Sequence, residues 1–232
     1  IDYRKTTAEG ENPFRAVIDA QYSDTAWTGL RTRHHVETLS ASENPFFIFA
    51  SFWKPHSPFE VHEPYDTMYS DVTIPLPKME TLEDIERLPL PLQKLILRGQ
   101  RPPYDLDREE LEWIYRSYYG TISHVDHEVG EILKTLEATG QAANTIVVFT
   151  SDHGDQMLEH GMMGKNAFFE ASVRVPFMIR YPGHVPAGAY DELIESVDLL
   201  PTLFDWIGLP EPVHNHGRSL VPLVGDSEAV YV

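Results

Sequence analysis

An adjacent carboxylate and imidazole form the chain's first candidate for chemistry. Asp152 and His153 are followed by Gly154, and a carboxylate beside an imidazole could bind a divalent metal. The same residues also fit a simple turn, in which Asp152 accepts hydrogen bonds from backbone N–H groups. The spacing alone leaves the metal site and the capped turn both open.

Two further side chains could act on an anionic substrate. Lys165 lies on a glycine-bounded loop, where it is either a point charge for an anionic oxygen or an ordinary surface lysine. His56 is framed by Pro55 and Pro58, which restrict the backbone around it. A histidine held rigidly after a strand suits proton transfer, although a structural role is also open.

The elements expected to position these residues are strands and helices in alternation. We predict buried strands over residues 46–52, 145–150 and 176–181, because each is a short apolar run. An apolar stripe with alternating steps of four and three predicts a long helix over 111–136, with Asp107 as its cap and Gly140 as its stop. Packing of this helix on a sheet is favoured, and a coiled-coil seam is the alternative. This order predicts an α/β fold with a mainly parallel sheet flanked by helices, and it places the acid–imidazole pair at the carboxyl end of a strand.

Two other helices are predicted at either end of the chain. The first covers residues 19–39, with Ala26, Leu30 and the apolar part of His34 on one side. The second covers residues 197–207 and has a proline in its first turn, a position that tolerates it.

A proline-rich excursion separates the first strand from the long helix. Nine of the eighteen prolines fall within residues 53–107, which predicts irregular structure with a short interrupted helix over 82–97. The excursion follows His56 directly, so specificity residues are expected in it. A plain surface loop is the favoured interpretation for each of its aromatic and charged residues, with contact to a sugar substrate as the alternative; these residues are Phe59, Tyr65, Tyr69, Arg98, Arg101 and Tyr104.

The composition argues against several partners. Eighteen basic and 36 acidic residues give a formal net charge of −18, which argues against nucleic acid and against an anionic membrane surface. The absence of cysteine excludes disulfides and thiolate chemistry within the chain. No stretch reaches the roughly 18 apolar residues of a membrane span. Residues 1–20 show no leader pattern, and the sequence does not predict the compartment. It does not predict the oligomeric state either.

Several spaced motifs together resemble the sulfatase family of the alkaline-phosphatase superfamily. In chain order they are FFIFASFWKPHSPF, YYGTISHVDHEVGEILKTLEATGQAANTIVVFT, SDHGD…EHG…GK…FFEASVRVPFMIRYPG and ESVDLLPTLFDWIGLP…HGRSLVPLVGD. The resemblance runs from about residue 16 to residue 225. It implies that residues 1–232 are part of an alkaline-phosphatase-like sulfatase catalytic domain.

The resemblance implies a role for each candidate residue. Asp152 and His153 match the family's second pair of metal ligands. Calcium is the first expectation, and manganese is the alternative because imidazole suits transition metals. Lys165 matches the lysine that contacts the sulfate oxygens, and His56 matches the histidine that binds sulfate and helps protonate the leaving oxygen. Glu159 and His160 are assigned either a supporting role around the site or a substrate-binding role, and His160 is the substrate-binding candidate.

The sequence also departs from the family pattern. The family's early pair of carboxylate ligands has no match, and neither has the Cys/Ser-x-Pro-x-Arg stretch whose Cys or Ser becomes the formylglycine nucleophile. We therefore expect formylglycine to lie in a missing N-terminal segment. The 232 residues alone are expected to be inactive.

Three hypotheses about function follow. The first is metal-dependent hydrolysis of a sulfate ester, either a sulfated glycan or a small molecule. The second is hydrolysis of phosphonate monoesters or phosphodiesters on the same scaffold. The third is a non-catalytic lobe that binds anionic glycans or a partner chain, which the absent nucleophile favours. Members of the family are often secreted, periplasmic or lysosomal.

Overall fold

A computed structural model describes residues 12–78, 80–97, 106–210 and 213–225 of the chain. The helices in these residues are α1 (Asp24–Ser40), α2 (Leu82–Glu86), α3 (Leu90–Ile96), α4 (Arg108–Ala138), α5 (Glu170–Val173), α6 (Leu199–Trp206) and α7 (Val221–Gly225). The strands are β1 (Val147–Thr150), β2 (Gln156–Met157), β3 (Met163–Gly164) and β4 (Phe177–Arg180). The chain divides into two compact units: Ile1–Ala142 with Gly154–Arg174, and Ala143–His153 with Val175–Val232.

The predicted long helix is confirmed as α4. Its N-terminus is closed by a reciprocal pair of hydrogen bonds, in which the Asp107 carboxylate accepts from the Glu110 N–H and the Glu110 carboxylate accepts from the Asp107 N–H, each at 2.9 Å. At the other end Gly140 has a φ of +72°, which favours glycine and marks the point where the chain leaves the helix. These local signals explain why the ends of the helix were predictable.

The buried face of α4 differs from the predicted apolar stripe in the middle of the helix. Leu111 and Tyr115 are buried as expected, whereas Ile122 is exposed. The residues buried there are mostly small or polar, and they are Ser117, Gly120, Thr121, His124, Val125 and Glu128. Part of this face packs on another polar surface rather than on an apolar core.

That other surface belongs to α1. The helix was predicted, but Leu30 and His34 are exposed, and its buried residues are Thr25, Ala26, Gly29, Thr32 and Val36. Gly29 permits the close approach of the helices, since a Cβ atom there would lie 2.0 Å from the Glu128 carboxylate. Arg33 binds that carboxylate at 2.5 Å and satisfies its charge.

The proline-rich excursion contributes to the core of the first unit. Its side chains Phe59, Val61, Tyr65 and Ile74 are buried in one cluster with residues of α4. Phe59 and Tyr65 therefore neither contact substrate nor lie on a surface loop, because both rings pack in this core. Substrate contact by Tyr69 stays a prediction, and Arg98, Arg101 and Tyr104 lie outside the described residues. The interrupted helix predicted over 82–97 is present as α2 and α3.

The strands only partly match the prediction. Strands β1 and β4 form where they were predicted, but none of their residues is fully buried. They pair with each other in antiparallel register, with Val148 opposite Ile179. Strands β2 and β3 are also antiparallel, so the described residues do not contain the predicted parallel sheet. The strand expected over 46–52 does not form, because a strand needs a neighbour for its backbone groups and no described residue pairs with this segment.

The second unit is organised around the buried carboxylate of Asp198. This carboxylate accepts from the backbone N–H groups of Glu195 at 2.9 Å and Arg218 at 2.8 Å. The hydroxyl of Thr202, in α6, donates to the Asp198 carbonyl at 2.6 Å and accepts from the Leu220 N–H at 2.9 Å. These contacts give the motif VDLLPT a structural role, and α6 confirms the helix predicted over 197–207. In the described residues no helix is both long enough and apolar enough to cross a membrane.

Two buried histidines, His124 of α4 and His62 of the proline-rich excursion, lie close together. The His124 ring stacks on the Tyr65 ring with a centroid distance of 4.5 Å. The centroids of the His124 and His62 rings lie 5.9 Å apart. The pKa of His124 is lowered to about 4, mainly by burial and then by the neighbouring His62 and His127, while Asp24 opposes the shift. Burial and then Lys54 lower the pKa of His62 as well. Both side chains therefore favour the neutral form in the folded protein.

We expect these histidines to make the protein less stable in acid. Between pH 6.5 and about 4, the unfolded chain binds a proton at His124 that the folded chain does not, so stability falls as the pH falls. The effect of His124 alone should be about 3 kcal/mol across this window. The melting temperature of a His124→Phe variant should depend less steeply on pH than that of the wild type. A variant of the exposed histidine His34→Phe is the control, and equal slopes for all three proteins would contradict the expectation.

Candidate functional site

His56 lies in a short turn that fixes the orientation of its ring. The His56 N–H donates to the Trp53 carbonyl at 3.2 Å, and the Nδ1 atom lies 2.6 Å from the Ser57 carbonyl oxygen. A carbonyl only accepts, so Nδ1 carries the hydrogen of this bond. The Nε2 atom is therefore the ring nitrogen available to exchange a proton with a ligand.

Lys54 forms a second hydrogen bond within the same turn. Its ammonium group donates to the Pro58 carbonyl at 2.6 Å, across the loop that carries His56. Burial lowers the pKa of Lys54, while the carboxylates of Asp24 and Glu60 oppose this shift. Sequence reasoning gave Lys54 no role, although its spacing of four residues from Pro58 is what lets the side chain bridge the loop.

Lys165 follows directly after strand β3, in the first unit. Strands β2 and β3 form a small hairpin with Gln156 opposite Gly164, and Gly164 has a φ of +94°. The side chain of Lys165 is half-buried. Lys165 thus begins the bend that follows the hairpin, one residue beyond its second strand.

The segment that carries Lys165 is supported by a second apolar cluster. Met162, just before β3, is buried with Ile85 of α2 and Ile96 of α3, and Phe169 packs against them. The helices of the proline-rich excursion therefore hold the lysine segment in place. This support is non-local, so no short sequence motif could have predicted it.

Glu159 fixes the turn of the hairpin. Its carboxylate accepts the Met157 N–H at 2.6 Å, and the Tyr115 hydroxyl lies 3.5 Å from its other oxygen. Burial raises the pKa of Tyr115, and the neighbouring Glu159 raises it further. Glu159 thus connects the hairpin to α4. Its predicted supporting or substrate-binding role stays a prediction.

His160 is exposed at the tip of this turn. Its backbone is left-handed, with a φ of +59°, and its ring stacks on Phe169 at 4.2 Å. These contacts hold the imidazole on the surface of the first unit. Its substrate-binding role stays a prediction.

Asp152 and His153 follow β1 in the second unit. The Asp152 carboxylate and the His153 Nε2 atom lie 3.6 Å apart, and the Asp152 side chain is 85% exposed. The other Asp152 oxygen accepts from the His153 N–H at 3.0 Å, as the capped-turn interpretation requires. No group of three or more candidate ligands occurs in the part of the chain that the structure describes. The contact would let both side chains reach one cation, and their role as metal ligands stays a prediction.

The structure distributes the candidate residues over both units. His56, His160 and Lys165 lie in the first unit, and Asp152 and His153 lie in the second. Within the second unit the two predicted metal ligands are in contact. Within the first, His160 and Lys165 belong to one hairpin segment.

Comparison with known proteins identifies the class of this chain. The sulfatase family model matches residues 4–209, which include all five candidate residues. The chain belongs to the sulfatase family of the alkaline-phosphatase superfamily.

Particular relatives extend the comparison. The chain is similar to the multifunctional alkaline phosphatase superfamily protein PehA of Trinickia caryophylli, with 31% identity over 91% of this chain and 43% of the relative. It is similar to an arylsulfatase of Clostridium perfringens, with 34% identity over 81% of this chain and 39% of the relative. Among solved structures it is similar to the phosphonate monoester hydrolase SpPMH from Silicibacter pomeroyi, with a TM-score of 0.81 and 28% identity over 93% of this chain and 44% of that one.

Each of these similarities covers less than half of the other protein's length. The chain spans about two-fifths of the length of the relatives it matches. The structural likeness indicates that the described elements belong to an alkaline-phosphatase-like fold.

Proposed function

We propose that this chain is part of an enzyme that hydrolyses a sulfate ester. The observation that carries the proposal is the sulfatase family match over residues 4–209, which includes His56 and Lys165 together with the pair Asp152 and His153. The arylsulfatase of Clostridium perfringens is one of the similar proteins and supports the same reaction.

His56 and Lys165 have complementary roles in this proposal. Cleavage of a sulfate ester develops negative charge on the leaving oxygen, and a proton donor there lowers the barrier. His56 supplies that proton from Nε2, since its Nδ1 is bound to the Ser57 carbonyl at 2.6 Å. Lys165 binds the sulfate oxygens as a point charge, which creates a local positive site in a chain whose formal net charge is −18.

Asp152 and His153 would hold the metal ion that the family implies. Their contact at 3.6 Å supports this proposal, because a carboxylate oxygen and an imidazole nitrogen that close together could share one cation. When bound, a divalent ion offsets negative charge on the substrate and the nucleophile. Calcium is proposed first and manganese second, and the formylglycine nucleophile is proposed to come from sequence outside these residues.

A second candidate is hydrolysis of phosphonate monoesters. The phosphonate monoester hydrolase from Silicibacter pomeroyi matches 93% of this chain with a TM-score of 0.81. The imidazole of His153 also supports it, because imidazole suits manganese better than calcium. Both reactions need the same general acid and the same local positive charge, so the residues of this chain serve either one.

Parallel assays with one leaving group discriminate between the candidates. The protein produced from its complete coding region should be assayed on 4-nitrophenyl sulfate and on 4-nitrophenyl phenylphosphonate. We expect kcat/KM to be at least about tenfold higher for the sulfate, which corresponds to about 1.4 kcal/mol of preferential transition-state binding. A preference for the phosphonate would establish the second candidate. Turnover of neither ester, in a protein with its metal bound, would favour the non-catalytic lobe.

A further inference from the structure

Trp53 is an exposed aromatic side chain in direct contact with His56. The centroids of the two rings lie 4.9 Å apart at an angle of 45°, and the backbone hydrogen bond from His56 to Trp53 closes the turn between them. The Trp53 residue is 62% exposed. Single exposed aromatic residues are common and need no explanation. The contact with His56 is what distinguishes this one.

The position of Trp53 follows from the role of its neighbour. A general acid must approach the leaving oxygen to within hydrogen-bond distance, so the atoms attached to that oxygen also lie near the His56 ring. An indole beside that ring can then contact the leaving group. Lys54, the next residue along the chain, directs its ammonium group to the Pro58 carbonyl at 2.6 Å, and its charge is used within the turn.

The chemistry of an indole limits which leaving groups benefit. Its flat face gains most from another flat apolar surface, such as an aryl ring or the C–H face of a sugar ring, through dispersion and ring stacking. A short alkyl group offers too little area for this contact.

We propose that Trp53 binds the leaving group of the ester and selects substrates whose leaving group is a flat ring. The inference rests on the proposed ester hydrolysis and on the role of His56 as proton donor. It identifies the substrate class as aryl or pyranosyl esters rather than short alkyl esters.

The test compares two sulfate esters in matched variants of the protein produced from its complete coding region. For Trp53→Ala we expect kcat/KM on 4-nitrophenyl sulfate to fall about tenfold, mainly through KM, while kcat/KM on ethyl sulfate changes less than about twofold. Trp53→Phe should retain most of the activity on the aryl ester. Trp27→Ala is the control, because Trp27 lies on α1 and is 63% exposed, almost the same as Trp53.

Two outcomes would overturn the inference. An equal loss on both esters would mean that Trp53 only positions His56, and no loss on either would mean that it contacts no leaving group. Binding of the product 4-nitrophenol, measured by equilibrium dialysis, is a readout that needs no turnover. We expect its Kd to weaken about tenfold in Trp53→Ala and not in Trp27→Ala. If the wild type hydrolyses neither ester but still shows this Trp53-dependent binding, the proposed function fails and the binding site stands; an unchanged Kd overturns the site itself.

Discussion

Replacing His56 by alanine in the protein produced from its complete coding region is expected to lower kcat for phenyl sulfate by about 10²- to 10⁴-fold. The reason is that Nε2 is the ring nitrogen left to protonate the leaving oxygen, because Nδ1 is bound to the Ser57 carbonyl at 2.6 Å. Lys165→Ala is expected to lower kcat by about 10²- to 10³-fold through the loss of positive charge at the sulfate oxygens.

The leaving group separates the two roles. A phenolate made more acidic by a nitro group needs less protonation, so the loss in His56→Ala should be smaller on 4-nitrophenyl sulfate than on phenyl sulfate. The loss in Lys165→Ala should be nearly the same on both esters, since the charge acts on the sulfate. Steady-state kinetics on the two substrates measures both effects.

Matched controls are available in the first unit. His34→Ala and Lys134→Ala remove an exposed histidine from α1 and an exposed lysine from α4, and neither should change kcat. A double variant of His56 and Lys165 that keeps kcat within about tenfold of the wild type would refute both roles, because the two effects together should far exceed that.

The parts of the fold that could be predicted depend on local signals. The long helix α4 was predictable because its cap, Asp107, and its stop, Gly140, are within a few residues of its ends. Strands β1 and β4 were predictable as short apolar runs. Which strands pair is decided by residues far apart in sequence, so the antiparallel register of β1 with β4 was not predictable from either run.

The buried polar face of α4 was missed for a different reason. Apolar periodicity assumes that a helix packs on an apolar neighbour, and it therefore placed Ile122 inside. Instead Glu128 is buried against Gly29 and Arg33 of α1. His124 is buried against Tyr65 of the proline-rich excursion. These contacts join residues far apart in sequence, so the periodicity of α4 alone could not predict them.

The candidate site, too, was only partly predictable from the sequence. Its residue types came from motifs, and the proline frame of His56 indicated a fixed ring. The hydrogen bond from His56 Nδ1 to the Ser57 carbonyl depends on the conformation of the turn, which the sequence did not specify. The packing of Met162 on Ile85 and Ile96 is a tertiary contact with no local signal. The sequence thus indicated which side chains to test, and the structure indicates which atom of His56 is available.

Treating the protein produced from its complete coding region with EDTA is expected to abolish hydrolysis, and added calcium should restore it. Asp152→Ala should weaken calcium binding by more than about 100-fold, because even residues that only orient a metal ligand commonly contribute 10- to 100-fold to affinity. Elemental analysis after dialysis measures the bound metal without any assay of activity. Asp191→Ala removes another exposed carboxylate from the second unit and should bind metal like the wild type.

The identity of the metal can be tested at His153. Imidazole nitrogen favours manganese over calcium, whereas an amide oxygen suits calcium. His153→Asn is therefore expected to keep calcium and to lose affinity for manganese. If the wild type retains manganese and His153→Asn abolishes activity on the phosphonate ester, calcium is the wrong metal and the phosphonate reaction gains support. If Asp152→Ala retains full metal content, the contact of Asp152 with His153 is only a capped turn, and the metal assignment fails because the pair then holds no ion.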